Sequence, residues 1–443
     1  MKELRKKSAD SAVNQVIVKA YREQIELVWD RTEALQPQCG FGRMAICCTD
    51  CLEGPCRVNP FAEDGQKAIC GRDQQALVAN YFLRKTADGA AALASLAEQF
   101  GCDLDPSTWR SISLTTDCMI PCGKRFDDLG RAVVTTLTAI ANAQGSRRQA
   151  LPAGMGVLED GKPNIVCHGH IPPAKVEALV KAAGAEANVV SICGNEKTLP
   201  VVTNYDSQET ALLTGLVDLL VVGSQCVTPA LIALAEKLSV PVTAAATLGD
   251  EADFEQAIAI ARNCFHRRAG KAGSFAAGKK QSYIGYDEVA VSKGLVYLGG
   301  CGNVANTQDA SFLKAASFLI EKGFAVVTAG CAGTALAKAG MCNATSVINL
   351  GSCHDAGEFL ELARRAKAAG LPVFAVLPEL THNKTLATAV GCASQDIPTW
   401  VNLGEMSLPA DLLGGNIRAF AGVAQLPQVL AEVVVGKVSA GER

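Results

Sequence analysis

Six cysteines lie within the thirty-two residues from Cys39 to Cys70, with the spacing C-x7-C-C-x2-C-x4-C-x13-C. Thiolates bind iron, and short spacings let successive turns of backbone direct several sulfurs at one cluster. Four of these cysteines match the four thiolates that a [4Fe–4S] cluster needs: Cys48, Cys51, Cys56 and Cys70. We therefore predict an iron–sulfur cluster in this segment.

Cys39 and Cys47 are left over in the same segment. Two thiolates cannot complete a [4Fe–4S] cubane or a [2Fe–2S] rhomb. A second copy of the chain across a twofold axis would supply the other two, since such an axis brings equivalent residues together. The pair therefore fits an intersubunit cluster, whose iron count the spacing does not fix.

Other roles of clustered cysteines compete with this interpretation. Disulfides are typical of small secreted chains, whereas this chain has 443 residues and opens without an apolar signal segment. A zinc ion could use any four of these thiolates, although six in one run exceed what one zinc needs. We favour iron–sulfur, with zinc as the alternative.

The composition excludes several classes of function. A formal net charge of −3 and a pI of about 6.0 indicate no basic surface for nucleic acid or an anionic membrane. No apolar run reaches the length of a membrane-spanning helix. We expect a cytoplasmic protein without nucleic-acid or membrane partners, in which the 18 cysteines are available to metals.

The periodicity of apolar residues changes along the chain. Three stretches are typical of helices, namely residues 11–36, 72–100 and 130–145. Beyond about residue 155, short apolar strands alternate with helices, and a Gly/Lys-rich stretch at 270–285 divides two such series. We predict an α/β protein: an N-terminal helical Fe–S domain (1–155) followed by two Rossmann-like, doubly wound parallel-sheet domains (156–285 and 286–443).

A second set of metal-binding side chains stands just past the carboxyl ends of predicted strands: His170, Cys226, Cys301, Cys331 and Cys353. Open α/β sheets bind ligands at that edge, so two facing edges would bring these side chains to one cavity. Cys392, after the next strand, is a candidate sixth member. One imidazole and five thiolates exceed a cubane's four ligands, which indicates a larger or heterometallic cluster with a reactive edge.

The remaining cysteines and histidines have simpler interpretations. A cysteine is often a small buried hydrophobic residue, and we interpret seven in this way: Cys102, Cys118, Cys122, Cys167, Cys193, Cys264 and Cys342. We expect four histidines in the core or at the surface rather than as ligands: His168, His266, His354 and His382. Glu196 and Glu379 are candidate oxygen donors or supports for the ligands.

Several motifs carry a resemblance to a known family: CGFG…ICC…GPCR in the cysteine run, HGH-x-P at His168–Pro172, GGCGN at Gly299–Asn303, AGCAGTALAKAG at Ala329–Gly340 and GSCHD at Gly351–Asp355. The chain resembles the nickel carbon monoxide dehydrogenases, within the superfamily shared with hybrid-cluster (prismane) proteins, over nearly its whole length. The resemblance implies that Cys39 and Cys47 form the subunit-bridging cluster ([4Fe–4S] or [2Fe–2S]) of a homodimer. The next four cysteines would hold a relay [4Fe–4S] cluster that passes electrons towards a ferredoxin-like carrier.

The same resemblance implies that the six strand-end residues surround an active-site cluster of either the Ni–Fe–S or the Fe–S–O hybrid type: His170, Cys226, Cys301, Cys331, Cys353 and Cys392. The chain is shorter than the family's catalytic members. It also lacks histidines in the helical segment Ala87–Phe100 and a lysine in Ile397–Gly415, where the family has such residues. Oxidation of CO at a buried site needs a base and a cation.

These departures decide the predicted activity. We predict a carbon monoxide dehydrogenase-like iron–sulfur oxidoreductase that is poor at CO oxidation and reduces a small N- or O-containing substrate such as hydroxylamine. One alternative is a genuine nickel-dependent carbon monoxide dehydrogenase that passes electrons to ferredoxin. The other is a non-enzymatic electron-transfer or redox-sensing protein.

Overall fold

The first part of the chain is mainly helical. The computed structural model describes residues 6–62, 65–115, 122–145, 148–268, 277–286 and 292–436. The elements of the first part are α1 Ser11–Arg22, α2 Val28–Ala34, α3 Gly40–Arg43, β1 Cys47–Cys48, β2 Cys56–Arg57, α4 Gln74–Gln99, α5 Pro106–Thr115 and α6 Cys122–Gln144.

The stretch predicted as one helix at 11–36 forms two. α1 ends at Arg22, and Gln24 follows with a left-handed backbone (φ 55°) that cannot continue a right-handed helix. The turn buries Ile25 and Leu27 before α2 begins. The long helix α4 begins where expected, because the Asp73 side chain accepts a hydrogen bond from the Ala76 amide (2.8 Å) and caps it.

A four-stranded parallel sheet follows. Its strands and helices are β4 Asn164–His168, α7 Pro173–Ala183, β5 Asn188–Ser191, α8 Gln208–Leu213, β6 Leu219–Val222, α9 Pro229–Lys237, β7 Val242–Ala244 and α10 Glu251–Arg268, and an edge strand of the second sheet, β3 Gln149–Ala153, precedes them. The strand order is β5-β4-β6-β7. The chain therefore changes direction across the sheet at β4, which opens a crevice at the carboxyl ends of β4 and β6.

The second sheet has eight strands. Its elements after α10 are β8 Lys280–Ile284, β9 Leu295–Leu298, α11 Ala310–Glu321, β10 Ala325–Thr328, α12 Gly330–Lys338, β11 Val347–Asn349, α13 Ala356–Ala368, β12 Val373–Leu377, α14 Asn383–Ser394, β13 Thr399–Asn402, β14 Ile417–Phe420 and α15 Leu426–Val435. The order is β14-β13-β12-β9-β10-β11-β8-β3, and every pair is parallel except β3 with β8. The crevice of this sheet lies between β9 and β12, and the predicted α/β class is confirmed.

The helical part is joined to the large sheet by a shared apolar core. α4 and α6 pack against α14, and Leu93, Phe126 and Val390 lie in one buried cluster with Phe359 of α13. This packing fixes the start of α14, and with it the loop after β12, against the rest of the molecule. Among the helices of the described residues, none is both long and apolar enough to span a bilayer.

Candidate metal centre

The small sheet contributes three side chains from three successive strand ends. His170 follows β4, Cys193 follows β5 and Cys226 follows β6, and all three are buried. The loops approach one another closely because Gly169 has no side chain: a Cβ there would lie 2.7 Å from the carbonyl oxygen of Gln225. The small sheet thus directs an imidazole and two thiols to its carboxyl edge.

The large sheet contributes three more sulfurs in the same way. Cys301 follows β9, Cys331 lies in the first turn of α12 after β10, and Cys353 begins a short 3₁₀ helix after β11. Gly330 (φ 64°) allows the last two loops to meet, since a Cβ there would lie 2.8 Å from Cβ of Cys353. Each of these cysteines lies past the carboxyl end of its strand.

The two edges face each other and the six side chains converge between them. Nε2 of His170 lies 3.8 Å from Sγ of Cys226 and 3.8 Å from Sγ of Cys353, which belongs to the other sheet. The sulfurs of Cys193 and Cys331 lie 4.0 Å apart, also across the two sheets. Cys301 is buried beside them, and its sulfur lies 2.8 Å from the Thr385 hydroxyl at the start of α14. We refer to these six residues as the cysteine–histidine site.

A lysine lies within this group. Lys384, in the first turn of α14, is 4% exposed, and its ammonium lies 2.5 Å from Nε2 of His170 and 3.6 Å from Sγ of Cys226. Burial lowers the pKa of Lys384, but the electrostatic effect of Cys226 and Cys353 outweighs it, so that the pKa lies above its ordinary value. The site therefore holds a permanent positive charge.

The charge on Lys384 acts on the sulfurs around it. A hydrogen bond from Cys193 is the largest cause that lowers the pKa of Cys226 well below its ordinary value; burial opposes it and Lys384 adds to it. The same bond raises the pKa of Cys193. The bond between them thus favours the thiolate on Cys226 and the thiol on Cys193. Burial raises the pKa of Cys301 to about 12 and that of Cys353 well above its usual range.

The two histidines at the site are neutral. Burial and then Lys384 lower the pKa of His170 to about 4, and burial and then His170 lower the pKa of His354 well below its ordinary value. Nδ1 of His354 lies 2.9 Å from Nδ1 of His170. The imidazole of His170 is thus contacted on one nitrogen by His354 and on the other by Lys384 and two sulfurs.

The donor set fits a cluster better than a single ion. In the part of the chain that the structure describes, no three His, Cys, Asp or Glu side chains are arranged around one metal ion. Five sulfurs and one imidazole instead lie close together with Lys384 beside them, and thiolates are the donors that iron–sulfur groups take. A group with several metal atoms can bind each donor at a different atom, so the residues present fit it.

Comparisons with known proteins agree with this geometry. The sequence model of the Prismane/CO dehydrogenase family matches residues 46–118 and 111–409. The chain belongs to the Prismane/CO dehydrogenase family. Carbon monoxide dehydrogenase 2 of Carboxydothermus hydrogenoformans is 26% identical, with 90% of this chain and 91% of that enzyme covered. Carbon monoxide dehydrogenase 1 of Methanosarcina mazei is 25% identical, with 89% of each chain covered.

Solved structures of this family share the fold. Carbon monoxide dehydrogenase IV from Carboxydothermus hydrogenoformans matches with a TM-score of 0.82 and 21% identity, covering 97% of this chain and 98% of that one. The nickel-free, as-isolated carbon monoxide dehydrogenase from Thermococcus sp. AM4 matches with a TM-score of 0.83 and 20% identity, covering 98% and 97%. Membership confirms the predicted oxidoreductase class.

The predicted shortening is confirmed as well. The alignment with the Carboxydothermus hydrogenoformans carbon monoxide dehydrogenase 2 spans 576 positions, and this chain has only 443 residues. That relative therefore contains segments that this chain lacks.

Two sequence-based interpretations need correction at the cysteine–histidine site. Cys193 was expected to be an inert buried residue, yet it takes part through its contacts with Cys226 and Cys331. Cys392 was the candidate sixth sulfur, yet it packs in the core shared with the helical part, and burial raises its pKa to about 12. Cys392 lies eight residues after Lys384 on α14, about 12 Å along the helix axis at about 1.5 Å per residue.

The expected absence of a cation was also wrong. The expectation concerned only Ile397–Gly415, the segment after Cys392, because Cys392 was the predicted last ligand. Lys384 precedes it, at the carboxyl edge of the large sheet. His354 was expected in the core or at the surface rather than as a ligand, and the structure places it in contact with His170.

The buried carboxyl groups lie next to the site. Oε2 of Glu196 accepts hydrogen bonds from the Gly194 amide (2.9 Å) and the Ser352 hydroxyl (2.7 Å), whereas its buried Oε1 has no partner among the described residues. Burial raises the pKa of Glu196 to about 7, although the bond from Ser352 opposes this. Glu379 accepts hydrogen bonds from Ser311 and Asn306.

The cysteine run forms a separate surface feature. Cys48 in β1 pairs directly with Cys56 in β2, Cys51 lies in the turn between them, and both strands rest on a small core of Val58, Ala68 and Leu77. Ala68 leads directly into the turn that carries Cys70. Asp50, in the same turn as Cys51, forms ion pairs with Arg72 (3.7 Å) and Arg84 (3.5 Å), which tie the turn to α4.

The leftover pair of the run is accessible. Cys39 is exposed at the start of α3, and Cys47 is half-buried. The amides of Gly42 and Phe41 lower the pKa of Cys39. Of the other cysteines, Cys167, Cys264 and Cys342 are buried away from the site and Cys118 lies outside the described residues.

Proposed function

We propose that the protein oxidises carbon monoxide with water to carbon dioxide, two protons and two electrons, at a nickel–iron–sulfur group in the cysteine–histidine site. His170, Cys193, Cys226, Cys301, Cys331 and Cys353 are the residues that would hold it. When bound, this group supplies an open coordination position and accepts the two electrons. The proposal reverses the order of the sequence-based prediction, which ranked CO oxidation second.

One observation carries the proposal: the buried ammonium of Lys384 among the sulfurs. The reaction passes from neutral CO to a species with negative charge on its oxygen atoms, and a fixed cation in a dry site stabilises that charge strongly. Since Lys384 is held in the first turn of α14, it needs no rearrangement to do so. The family relatives named above, which are carbon monoxide dehydrogenases, support the same reaction.

The protons need an acceptor that leads to solvent. His382, which precedes α14, lies close enough to Cys226 to lower the pKa of that thiol, and among the described residues its buried Nε2 has no hydrogen-bond partner. It also lines a cavity of about 510 Å³ that extends past Asn303, Glu379 and Tyr81 to the surface. We assign His382 as the residue that takes protons from the site, because the described part of α4 contains no histidine.

A viologen assay tests the proposal. Anaerobically purified full-length protein, loaded with iron, sulfide and nickel, should reduce methyl viologen when CO is added, and the nickel-free protein should not. No CO-dependent reduction by protein with a full metal complement would contradict the proposal. The same protein with reduced viologen and hydroxylamine provides the comparison.

Hydroxylamine reduction is the second candidate, favoured by Glu196. Its unpartnered Oε1 beside Ser352 and the Cys193 loop offers an oxygen donor, as a cluster with mixed sulfur and oxygen ligands would use. Viologen oxidation with hydroxylamine that exceeds CO turnover, and its loss in Glu196→Gln, would favour this activity over CO oxidation.

We further propose that the chain works as a homodimer that passes electrons to a ferredoxin-like carrier. The exposed Cys39 and the half-buried Cys47 support a cluster shared between two copies, and exposed Leu52 and Phe61 lie in the same run. Sedimentation of the loaded protein tests this: Cys39→Ser should turn dimers into monomers, and unchanged dimers with unchanged iron would contradict the shared cluster.

A further inference from the structure

The two ring nitrogens of His170 face different groups. Nε2 faces Lys384 (2.5 Å) and the sulfurs of Cys226 and Cys353, both at 3.8 Å. Nδ1 faces Nδ1 of His354 at 2.9 Å, a normal hydrogen-bond distance between two nitrogens. A neutral imidazole carries one proton, so one of its nitrogens donates and the other accepts.

The contact with Lys384 decides which nitrogen accepts. A lysine ammonium has only donors, so Nε2 of His170 must present its lone pair to it. The proton of His170 then lies on Nδ1, where it donates to Nδ1 of His354. His354 in turn must leave its own Nδ1 unprotonated and carry its proton on Nε2.

The opposite arrangement fails at Nε2. A proton there would point at the Lys384 ammonium, which places two donors face to face. It would also occupy the lone pair that a metal held by Cys226 and Cys353 would need. The contact with Lys384 therefore selects one tautomer, and the contact with His354 accommodates it.

His354 is itself held in place. It lies in the 3₁₀ helix Cys353–Asp355, which Ser352 caps at its N-terminus, and the Ser352 amide donates a hydrogen bond to Oδ2 of Asp355 (2.7 Å). The ring of His354 packs edge-on against Phe100 at the end of α4, with centroids 5.0 Å apart, and the residue is 3% exposed. Since Cys353 and His354 are neighbours in this rigid turn, a single element positions a sulfur on one side of His170 and the acceptor on the other.

We propose that His354 is a positioning residue that accepts the Nδ1 proton of His170 and so keeps the Nε2 lone pair of His170 directed at the metal. This rests on His170 as a metal ligand in the proposed function. Metal-bound histidines usually donate their second N–H to a carboxylate, a carbonyl or water, and loss of that partner weakens metal binding or activity about 10- to 100-fold. In this chain the partner is a second imidazole, which needs no charge in a site that already contains Lys384.

Two variants of His354 distinguish the role of its hydrogen-bond acceptor from the role of its ring packing. His354→Asn retains a carbonyl oxygen near the position of Nδ1, whereas His354→Phe retains the ring and its packing on Phe100 but has no acceptor. We expect His354→Phe to bind iron and nickel about 10- to 100-fold more weakly and to change the electron paramagnetic resonance spectrum of the bound cluster. His354→Asn should restore both.

The tautomer is measured without metal or activity. Nitrogen-15 spectra of histidine-labelled, metal-free full-length protein, with His170 assigned by its absence in His170→Gln, should show His170 protonated on Nδ1 in the wild type and in His354→Asn. In His354→Phe a second population protonated on Nε2 should appear. Wild-type His170 protonated on Nε2, or a His354→Phe variant with an unchanged tautomer, would overturn the proposal even if CO turnover is high. A protein without CO turnover but with the expected tautomers would contradict only the proposed function.

Discussion

The ammonium of Lys384 donates a hydrogen bond to Nε2 of His170, and this bond joins the start of α14 in the large sheet to the loop after β4 in the small sheet. Both residues are buried, and the sulfurs of Cys226 and Cys353 lie beside the same nitrogen of His170. In the proposed function His170 would bind the metal, and the Lys384 ammonium beside it would face the oxygen atoms of a bound substrate. The relationship is the reason for ranking CO oxidation first.

Replacing Lys384 tests that ranking. Lys384→Met keeps the length and burial of the side chain but removes its charge, and we expect CO-dependent viologen reduction to fall about 100- to 1,000-fold, as when one transition-state donor is lost. Iron content should remain within error of the wild type. The matched control is Lys367→Met on α13, whose ammonium bonds the carbonyls of Gln395 and Asp396 and should leave turnover unchanged. Equal turnover of Lys384→Met and the wild type would refute the role of Lys384.

Two cysteine variants distinguish the sulfurs that surround the site. Cys193→Ala removes a sulfur that contacts Cys226 and Cys331, so the loaded protein should lose the iron of the buried cluster and retain that of the cysteine run. Cys392→Ala should keep all its iron and lose only about 1–2 kcal/mol of stability, because it removes a small apolar group from the core. Iron analysis and urea unfolding measure both. The reverse pattern, with iron lost from Cys392→Ala alone, would restore the original choice of the sixth sulfur.

The proposed role of His382 as a proton acceptor is tested by comparing one variant with a matched control. His382→Phe keeps the edge-on packing with Tyr205 (centroids 4.4 Å apart) but cannot accept a proton, and we expect kcat to fall about 100- to 10,000-fold. KM for CO should change little, since substrate binding does not require the imidazole. The control is His266→Phe on the outer end of α10, with unchanged kcat. A rise in KM with kcat preserved would instead assign His382 to substrate binding.

An ion pair beside the small sheet provides a stability test that does not involve metal. Nε of Arg268 lies 2.7 Å from Oδ1 of the fully buried Asp218, and its second nitrogen lies 2.9 Å from Oδ2. Asp218→Asn removes the buried charge and leaves the guanidinium, among the described residues, only the exposed Asp160 (3.4 Å) as an ion-pair partner, so it should cost about 3 kcal/mol in urea unfolding.

Another arginine of α10 supplies the control for that variant. Arg262 pairs with Glu186 at the surface, so Glu186→Gln should cost less than about 1 kcal/mol. If the two variants lost the same free energy of unfolding, burial of the Arg268–Asp218 pair would contribute nothing to stability.

The sequence predicted the fold and most of the site because both follow from local patterns. Alternating apolar strands and helices predicted the two sheets, and the rule that ligands gather at the carboxyl edge selected His170, Cys226, Cys301, Cys331 and Cys353. The same rule applied to Cys193, which stands two residues beyond the end of β5. It was missed because the apolar pattern of residues 187–193 predicts a strand that includes Cys193 itself.

Lys384 and His354 were missed for a different reason. Whether a side chain at the start of a helix faces a cavity or solvent depends on how that helix packs, and α14 is oriented by α4 and α6, more than two hundred residues earlier in the chain. The position of Cys392 was predicted wrongly for the same reason. Lys384 and Cys392 lie about two turns apart on α14, and only the packing of that helix shows that the first faces the sheet edge and the second the core. The prediction of a single helix over residues 11–36 was wrong because the spacing of apolar residues does not show the left-handed turn at Gln24.

The division of the six donors between two sheets has a consequence for biogenesis. Three come from the small sheet and three from the large one, and five of the six are buried once the sheets face each other. In the proposed function, a preassembled inorganic core would have to arrive before the two sheets close around it, and its bonds to both would then hold them together. The order of synthesis suits this, because the small sheet emerges first and presents an incomplete cradle until the rest of the chain has folded.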